Sequence, residues 1–301
     1  MPELPEVETI KRELQRALKG KIINGLEVCW PKTIFPLLAG ELLKRIGGQT
    51  IIGVARRAKI LIIKLASGEQ LLIHLKMTGQ LIYAPGKAGA KALPLGEGGV
   101  GLIVGGHPQP HGTENLPNKF TRVVLSFGDK SKLFFNDLRK FGWMKLLTTE
   151  EATKLLAAHG VEPLGRDFTE KHFAELLSRY LKRQIKQVLL DQTIIAGLGN
   201  IYADEVCFFA KIRPTRIVKS LKDIEKKNLH RGIISVLKLS IRKKGTSSNN
   251  YRRSDGSQGN FFAYLKVYGR AGEKCQRCWR AIIHKIKLSG RGTHFCPGCQ
   301  K

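Results

Sequence analysis

The sequence predicts an α+β protein: a helix leads into an N-terminal antiparallel β-sandwich, and a helical C-terminal domain closes on a short β-hairpin flanked by cysteine pairs. Three observations predict it. Apolar residues recur at three- and four-residue steps from Val7 to Leu18 and across much of 150–245. Strand-like alternation with paired turn signals fills about 50–146. Two CxxC pairs bracket a short alternating segment near residue 301.

The first helix rests on Val7, Ile10, Leu14, Ala17 and Leu18, with Gly20 ending the run. Ahead of it stands Met1-Pro2-Glu3-Leu4-Pro5-Glu6. Removal of one methionine leaves a terminal proline, a secondary amine that titrates at about pH 8 and so has a usable neutral, nucleophilic fraction. Such an amine attacks a sugar or carbonyl carbon to give an iminium, and Glu3 is adjacent in sequence to move protons for it. Proline followed by acidic residues is also an ordinary helix start, with φ fixed by the ring and the carboxylate favoured by the helix dipole. These six residues alone leave both readings open.

Ile60 to Ile63, a Ser67-Gly68 turn and Leu71 to Leu75 read as one hairpin; Thr121 to Phe127, a Gly128-Asp129 turn and Lys132 to Phe135 read as another. Pro85 to Asn118, rich in Gly and Pro, is expected as an irregular surface insertion of low order. Helices follow at Glu151 to Ala158, Lys171 to Leu190 and Asp223 to Lys243. A hinge near Thr148-Thr149 gives domains over 1–146, 147–260 and 261–301. Between Asp191 and Glu205, Ala196-Gly197-Leu198-Gly199-Asn200 places a Gly-rich turn before a helix. Its backbone amides make a nest for a phosphate, or the turn is a packing corner between two helices.

Cys275-Gln276-Arg277-Cys278 and Cys296-Pro297-Gly298-Cys299 lie 17 residues apart, within the spacing of a tetrahedral zinc site. Four thiolates leave no open position, so one structural zinc ion is expected, with His284 and His294 as competing ligands. Ala281 to Leu288 then forms a hairpin whose tip, Ser289-Gly290-Arg291-Gly292, presents Arg291 to a phosphate or simply to solvent. Cys29 and Cys207, alone among apolar neighbours, are expected as core fillers.

The charge balance narrows the partners. Fifty-two Lys and Arg against 24 Asp and Glu leave +28, and residues 238–301 alone hold 15 basic and 2 acidic side chains. That is the footprint of a nucleic-acid binder, although a ribosomal or membrane-surface protein shares the sign. No run of 18 apolar residues and no signal-peptide order occur, so a cytoplasmic, nucleoid-associated protein is expected.

Taken together, Met1 to Thr9, Arg57-Ala58-Lys59, His74-Leu75-Lys76-Met77-Thr78-Gly79, Asn136 to Gly142, Gly197 to Glu205, Val267-Tyr268-Gly269-Arg270 and the cysteine finger with Gly290 to Thr293 resemble formamidopyrimidine-DNA glycosylase. The resemblance runs end to end apart from 85–118. It implies a helix-two-turn-helix domain beside the zinc-finger β-hairpin. It also implies a bifunctional enzyme acting on 8-oxoguanine and formamidopyrimidines in duplex DNA, and on abasic sites, as a single chain with no membrane. By resemblance Pro2 is the nucleophile, Glu3 the proton shuttle, Lys59 a phosphate contact that assists elimination, and Arg291 the finger's phosphate grip. Met77, Arg139 and Phe141 correspond to residues that fill the void left by the extruded base, and His74 and Asn200 to phosphate contacts.

Phe120 stands where the family often has a histidine that touches DNA, and Thr246 to Gly259 corresponds to the lesion-capping loop. Lys182, Arg183 and Lys186 form a basic patch whose DNA-contacting member the sequence does not distinguish. The sister group acting on oxidised pyrimidines shares the proline, finger and fold, but the Leu4-Pro5-Glu6-Val7 start and the Arg139 and Phe141 pair oppose it. A non-catalytic zinc-containing DNA-binding protein is opposed by intact Pro2, Glu3 and Lys59.

Overall fold

The computed structural model describes residues 1–86, 103–106, 115–246 and 261–301. They fall into two compact units, Met1–Ala157 with Lys244–Asn260, and Ala158–Lys243 with Phe261–Lys301.

In the first unit, α1 (Leu4–Leu18) buries Val7, Ile10, Leu14 and Leu18, the face its periodicity predicts. Among the described residues nine strands follow: β1 (Ile23–Val28), β2 (Ile51–Arg57), β3 (Ile60–Leu65), β4 (Gln70–His74), β5 (Gly79–Ala84), β6 (Ile103–Gly106), β7 (Thr121–Phe127), β8 (Lys132–Asp137) and β9 (Trp143–Leu147), with α2 (Ala39–Ile46) between β1 and β2. They form two antiparallel sheets, ordered β1-β7-β8-β5-β6 and β2-β3-β4-β9. Leu61, Ile63, Leu71 and Ile73 from one sheet meet Leu81, Val123, Leu125 and Phe135 from the other in one core with α1. Both expected hairpins are present, β3 with β4 and β7 with β8.

The opposite face of β3 and β4 is buried too. Ile60, Ile62 and Leu72 pack with Ala152, Leu155 and Leu156 of α3 (Thr149–Ala157), which explains the unbroken apolar run Ile60-Leu61-Ile62-Ile63. The division expected at 146/147 therefore falls ahead of a helix that packs on this sheet, and the compact unit continues to Ala157.

Within the segment expected to be irregular, β6 pairs with β5 in antiparallel register. Its sequence hides the strand because Gly105 is there for close approach: a Cβ at that position would stand 2.3 Å from Ile10 Cγ1. The remaining insertion residues, 87–102 and 107–114, lie outside the described residues.

Polar ties fix α1 along β2. Gln15 accepts the Val54 N–H, Glu8 accepts Arg56 Nε at 3.1 Å and Arg12 Nε at 2.8 Å, and Arg56 Nη1 donates to the Ala58 carbonyl at 2.9 Å. The helix thus runs antiparallel to β2, and its start points toward the Ala58-Lys59 turn. Burial pushes the Glu8 carboxyl up, but the Arg12 and Arg56 guanidiniums outweigh it and hold it below its ordinary value. A depressed carboxyl stabilises the fold above its unfolded-state pKa, and the contribution fades as pH falls through the folded value. Glu8→Gln should therefore cost roughly 1–3 kcal/mol at neutral pH by removing the charge that the Arg12 and Arg56 guanidiniums share. Thermal unfolding of variant and wild type should converge as pH falls below the ordinary carboxylate range; an equal gap at neutral and at acid pH would refute this.

The second unit holds α4 (Glu170–Ser178), α5 (Ile185–Leu190), α6 (Asn200–Phe209), α7 (Asp223–Arg242) and the hairpin β10 (His284–Leu288) with β11 (Arg291–Phe295). The single helix expected over Lys171 to Leu190 is two. Its apolar spacing continues through the break, but Gln184 is extended, and the backbone there pairs with another segment: Val218 N–H donates to Arg183 O and Ile185 N–H to Arg216 O. Cys207 is buried in α6, where burial raises its thiol pKa far from thiolate chemistry. Cys29, expected in the core, is exposed: it follows the end of β1, at the rim of its sheet, with Sγ 3.6 Å from Glu27. Among the described residues no helix is long and apolar enough to cross a membrane.

Candidate active site and zinc centre

Pro2 and Glu3 are both buried, and Glu3 is the N-cap of α1. Its N–H donates to Glu6 Oε2 at 2.9 Å, and its carbonyl accepts the Val7 N–H at 3.1 Å. The other Glu6 oxygen accepts the Thr246 N–H at 2.8 Å and hydroxyl at 2.9 Å. Thr246 opens the stretch expected to cap a lesion; residues 247–259 of that stretch lie outside the described residues.

Lys59 sits in the β2–β3 turn after Ala58, whose φ is +53°, and is only 5% exposed. Strand register sets Ile60 opposite His74, and His74 opposite Trp143. Lys59 and His74 therefore share the end of the sheet toward which α1 starts. His74 Nδ1 accepts the Lys76 N–H at 2.9 Å, which in the neutral ring leaves the proton on Nε2, the donor a phosphate needs.

Met77 lies in a turn closed by Gly79 N–H to Leu75 O at 2.8 Å and is 38% exposed. Phe141 is 54% exposed, and Arg139 stacks over its ring at 4.8 Å. Buried Asp137 ties these two loops together. Its Oδ1 accepts the Thr78 hydroxyl and, at 3.2 Å, the Arg139 N–H; its Oδ2 accepts the Gly142 N–H at 2.7 Å. Thr78 Oγ1 also accepts the Arg139 N–H at 3.0 Å. Asp137→Ala should free both loops and lower kcat/KM on a purine lesion about tenfold or more, with weaker preference for cytosine opposite. Steady-state kinetics on duplexes with C or A opposite the lesion would show it. The sequence does not single out Asp137 within Asn136 to Gly142, because an acidic residue in a basic protein gives no sign of its partners. At Phe120, Lys119 Nζ stands 5.3 Å from the ring, so a cation is retained beside the substituted position.

In the second unit the Gly-rich turn is stapled by one side chain. Gln192 Oε1 accepts the Gly197 N–H at 3.0 Å, while its Nε2 donates to Leu190 O at 2.9 Å and Leu198 O at 2.6 Å. Gly197 has φ +87°, which glycine adopts freely. Asn200 opens α6 after Gly199, and its Nδ2 donates to Gly292 O at 2.9 Å. Of the basic patch, Lys182 is exposed, Arg183 pairs with Asp191 at 2.9 Å, and Lys186 is buried against Asp204 at 2.6 Å. Lys186 is thus removed from the candidates for a backbone contact.

The four finger cysteines bring their Sγ atoms within 4.8 Å of one another, with Cys275 to Cys299 and Cys278 to Cys296 each at 3.7 Å. A zinc–sulfur bond of about 2.3 Å gives a tetrahedron edge of about 3.8 Å, so the set fits one zinc ion. His294 instead faces Asp204, and His284 packs edge-on against Phe295. Behind the knuckles, Cys275 and Cys296 join Phe208, Val267 and Ile283 in an apolar cluster. Ser289 and Gly290 both have positive φ, +48° and +75°, the tight two-residue turn that leaves exposed Arg291 at the start of β11.

Domain by domain, the class this fold defines is that of a zinc-finger DNA glycosylase. Residues 1–144 match the formamidopyrimidine-DNA glycosylase N-terminal domain, 159–251 the formamidopyrimidine-DNA glycosylase H2TH domain, and 272–301 the zinc finger found in FPG and IleRS. A formamidopyrimidine-DNA glycosylase of Exiguobacterium sp. is 39% identical over 303 residues, covering all of both chains. A Lactococcus lactis FPG mutant in complex with Fapy-dG containing DNA superposes with TM-score 0.84 at 38% identity over 100% of each chain. The Lactococcus lactis Fpg in complex with abasic site containing DNA gives TM-score 0.83 at 37% identity over 99% of each. The chain belongs to the formamidopyrimidine-DNA glycosylase family.

Proposed function

We propose that this chain excises 8-oxoguanine and formamidopyrimidines from duplex DNA and then cleaves the strand, with Pro2 as nucleophile. The observation that carries the reading is the meeting of α1's start with the buried Lys59 turn and His74 at one end of the sandwich. Once Met1 is gone, the Pro2 nitrogen lone pair attacks C1′. The bond from C1′ to the base breaks, and the base leaves with that electron pair and a proton. Glu3, held at the helix cap, relays the protons. The Pro2 nitrogen gives up its proton, the C1′–O4′ bond then opens with O4′ taking a proton, and the iminium so formed draws electrons from C2′, whose proton is lost as the 3′ phosphate departs. Loss of a C4′ proton then expels the 5′ phosphate, and water releases the sugar fragment from Pro2. Lys59 and Arg291 hold phosphates through these eliminations, and His74 and Asn200 secure the flanking backbone. Met77, Arg139 and Phe141 occupy the space the extruded nucleotide leaves, Arg139 offering donors to an opposite cytosine. Zinc, when bound by Cys275, Cys278, Cys296 and Cys299, supplies a structural crosslink.

Borohydride trapping on duplexes carrying 8-oxoguanine opposite C, or thymine glycol, tests this. A covalent adduct is expected with the purine lesion. An adduct with the pyrimidine lesion alone would assign the chain to the sister specificity, and DNA binding without any adduct would leave a binding protein.

A further inference from the structure

We propose that the buried pair Lys186–Asp204 is a positioning device that sets Arg291, coupling the Gly-rich helical motif to the zinc hairpin; this rests on the role proposed above for Arg291. Lys186 is 1% exposed and Asp204 is fully buried, with Nζ to Oδ1 at 2.6 Å. The lysine does not stop at the carboxylate. Nζ also donates to Thr293 Oγ1 at 2.8 Å and to Gly292 O at 3.2 Å, the two residues that follow Arg291. Asp204 continues the line: its Oδ2 accepts the His294 N–H at 2.8 Å and lies 3.3 Å from His294 Nδ1.

Further contacts complete the frame. Asn200 Nδ2 holds Gly292 O at 2.9 Å, and Gln187 Nε2 donates to Ser289 Oγ at 2.6 Å. Arg291 is thus an exposed side chain whose neighbours on both sides, Ser289 and Gly292 to His294, are pinned to α5 and α6 by side chains from those helices. Nothing in the hairpin's own two-strand ladder could set it so firmly, since an isolated two-stranded hairpin is marginal. The zinc fixes the hairpin's other end, at the cysteine knuckles. The ion pair fixes the end that carries the arginine.

A buried pair broken on one side strands a charge, whereas replacing both partners with apolar residues of similar size often leaves stability intact. The test therefore uses Lys186→Met with Asp204→Leu in one full-length, zinc-loaded chain. Lys186→Arg serves as the conservative variant, and Thr293→Val removes one of the lysine's two contacts with the hairpin, together with the hydroxyl's own bond to Arg291 O at 3.3 Å, while leaving the ion pair in place. Zinc content and melting temperature are read beside kinetics on duplex DNA with a preformed abasic site.

The expected result for the double variant is normal zinc and near-normal melting, a KM raised about tenfold or more, and a product mixture shifted from δ- toward β-elimination. Borohydride trapping at saturating DNA should be retained. Thr293→Val should shift the products in the same direction by less, and Lys186→Arg should recover most of the KM. A zinc-loaded double variant or Thr293→Val with wild-type KM and wild-type product mixture would overturn the proposal, leaving the pair a packing feature. Absence of trapping in the wild-type chain would instead remove the proposed function.

Discussion

Pro2→Gly is expected to lower borohydride-trapped adduct and strand cleavage by about a hundredfold or more at equal DNA binding. The reason lies in the nitrogen. A proline adduct has no proton left on nitrogen, so its iminium is positively charged by construction and withdraws electrons from C2′ at any pH. A glycine adduct is a neutral imine until protonated. The pyrrolidine ring also ties that nitrogen back to its own Cα, next to the cap at Glu3 where the carboxyl of Glu6 already holds the backbone N–H, so the amine has little rotational freedom to lose. Glycine gives that up. A chain that retains Met1 should be equally silent, because its Pro2 nitrogen is an amide without a free pair. Mass spectrometry of the intact chain, paired with trapping yield, checks both points; full trapping by a Met1-retaining chain would rule out Pro2 as nucleophile.

Zinc removal has the second large effect. Chelation, or Cys278→Ser, is expected to weaken binding to lesion duplex by about a hundredfold or more while the β-sandwich keeps its fold. Without the ion, four sulfurs 3.7–4.8 Å apart have nothing to hold them. Structural zinc contributes on the order of 10 kcal/mol to isolated fingers. Here Cys275 and Cys296 also lie in the cluster with Phe208 and Val267, so the loss spreads to the packing of α6. Metal analysis with DNA titration at fixed salt measures it, and zinc-free protein that binds as tightly as the native chain would contradict it.

Much of this was legible in the residues, for physical reasons. The cysteine spacing reads directly because a tetrahedral metal admits few loop lengths, and α1 reads directly because one face meets the core along its whole length. What escaped was decided by distant partners. The break before α5 is set by residues 216–218, which compete for the backbone of Arg183 and Ile185. Lys186 reads as one of three candidates for a DNA-backbone contact because its carboxylate partner, Asp204, is 18 positions away in sequence. Cys29 looked like a core residue because its neighbours are apolar, but its strand runs out at the sheet's rim. Strand β6 carried two glycines, the usual mark of a loop, and one of them is there because Ile10 leaves no room for a side chain.

That last glycine has a bearing on how the chain tolerates change. By seating Ile103–Gly106 on β5 directly against Ile10, it makes the edge of the five-stranded sheet and the helix behind Pro2 share a contact that admits no side chain. Gly105→Ala, a change of one methyl group, would press on Ile10 and set the edge strand against α1, so a substitution about a hundred residues from Pro2 in sequence would be felt by the helix that carries it.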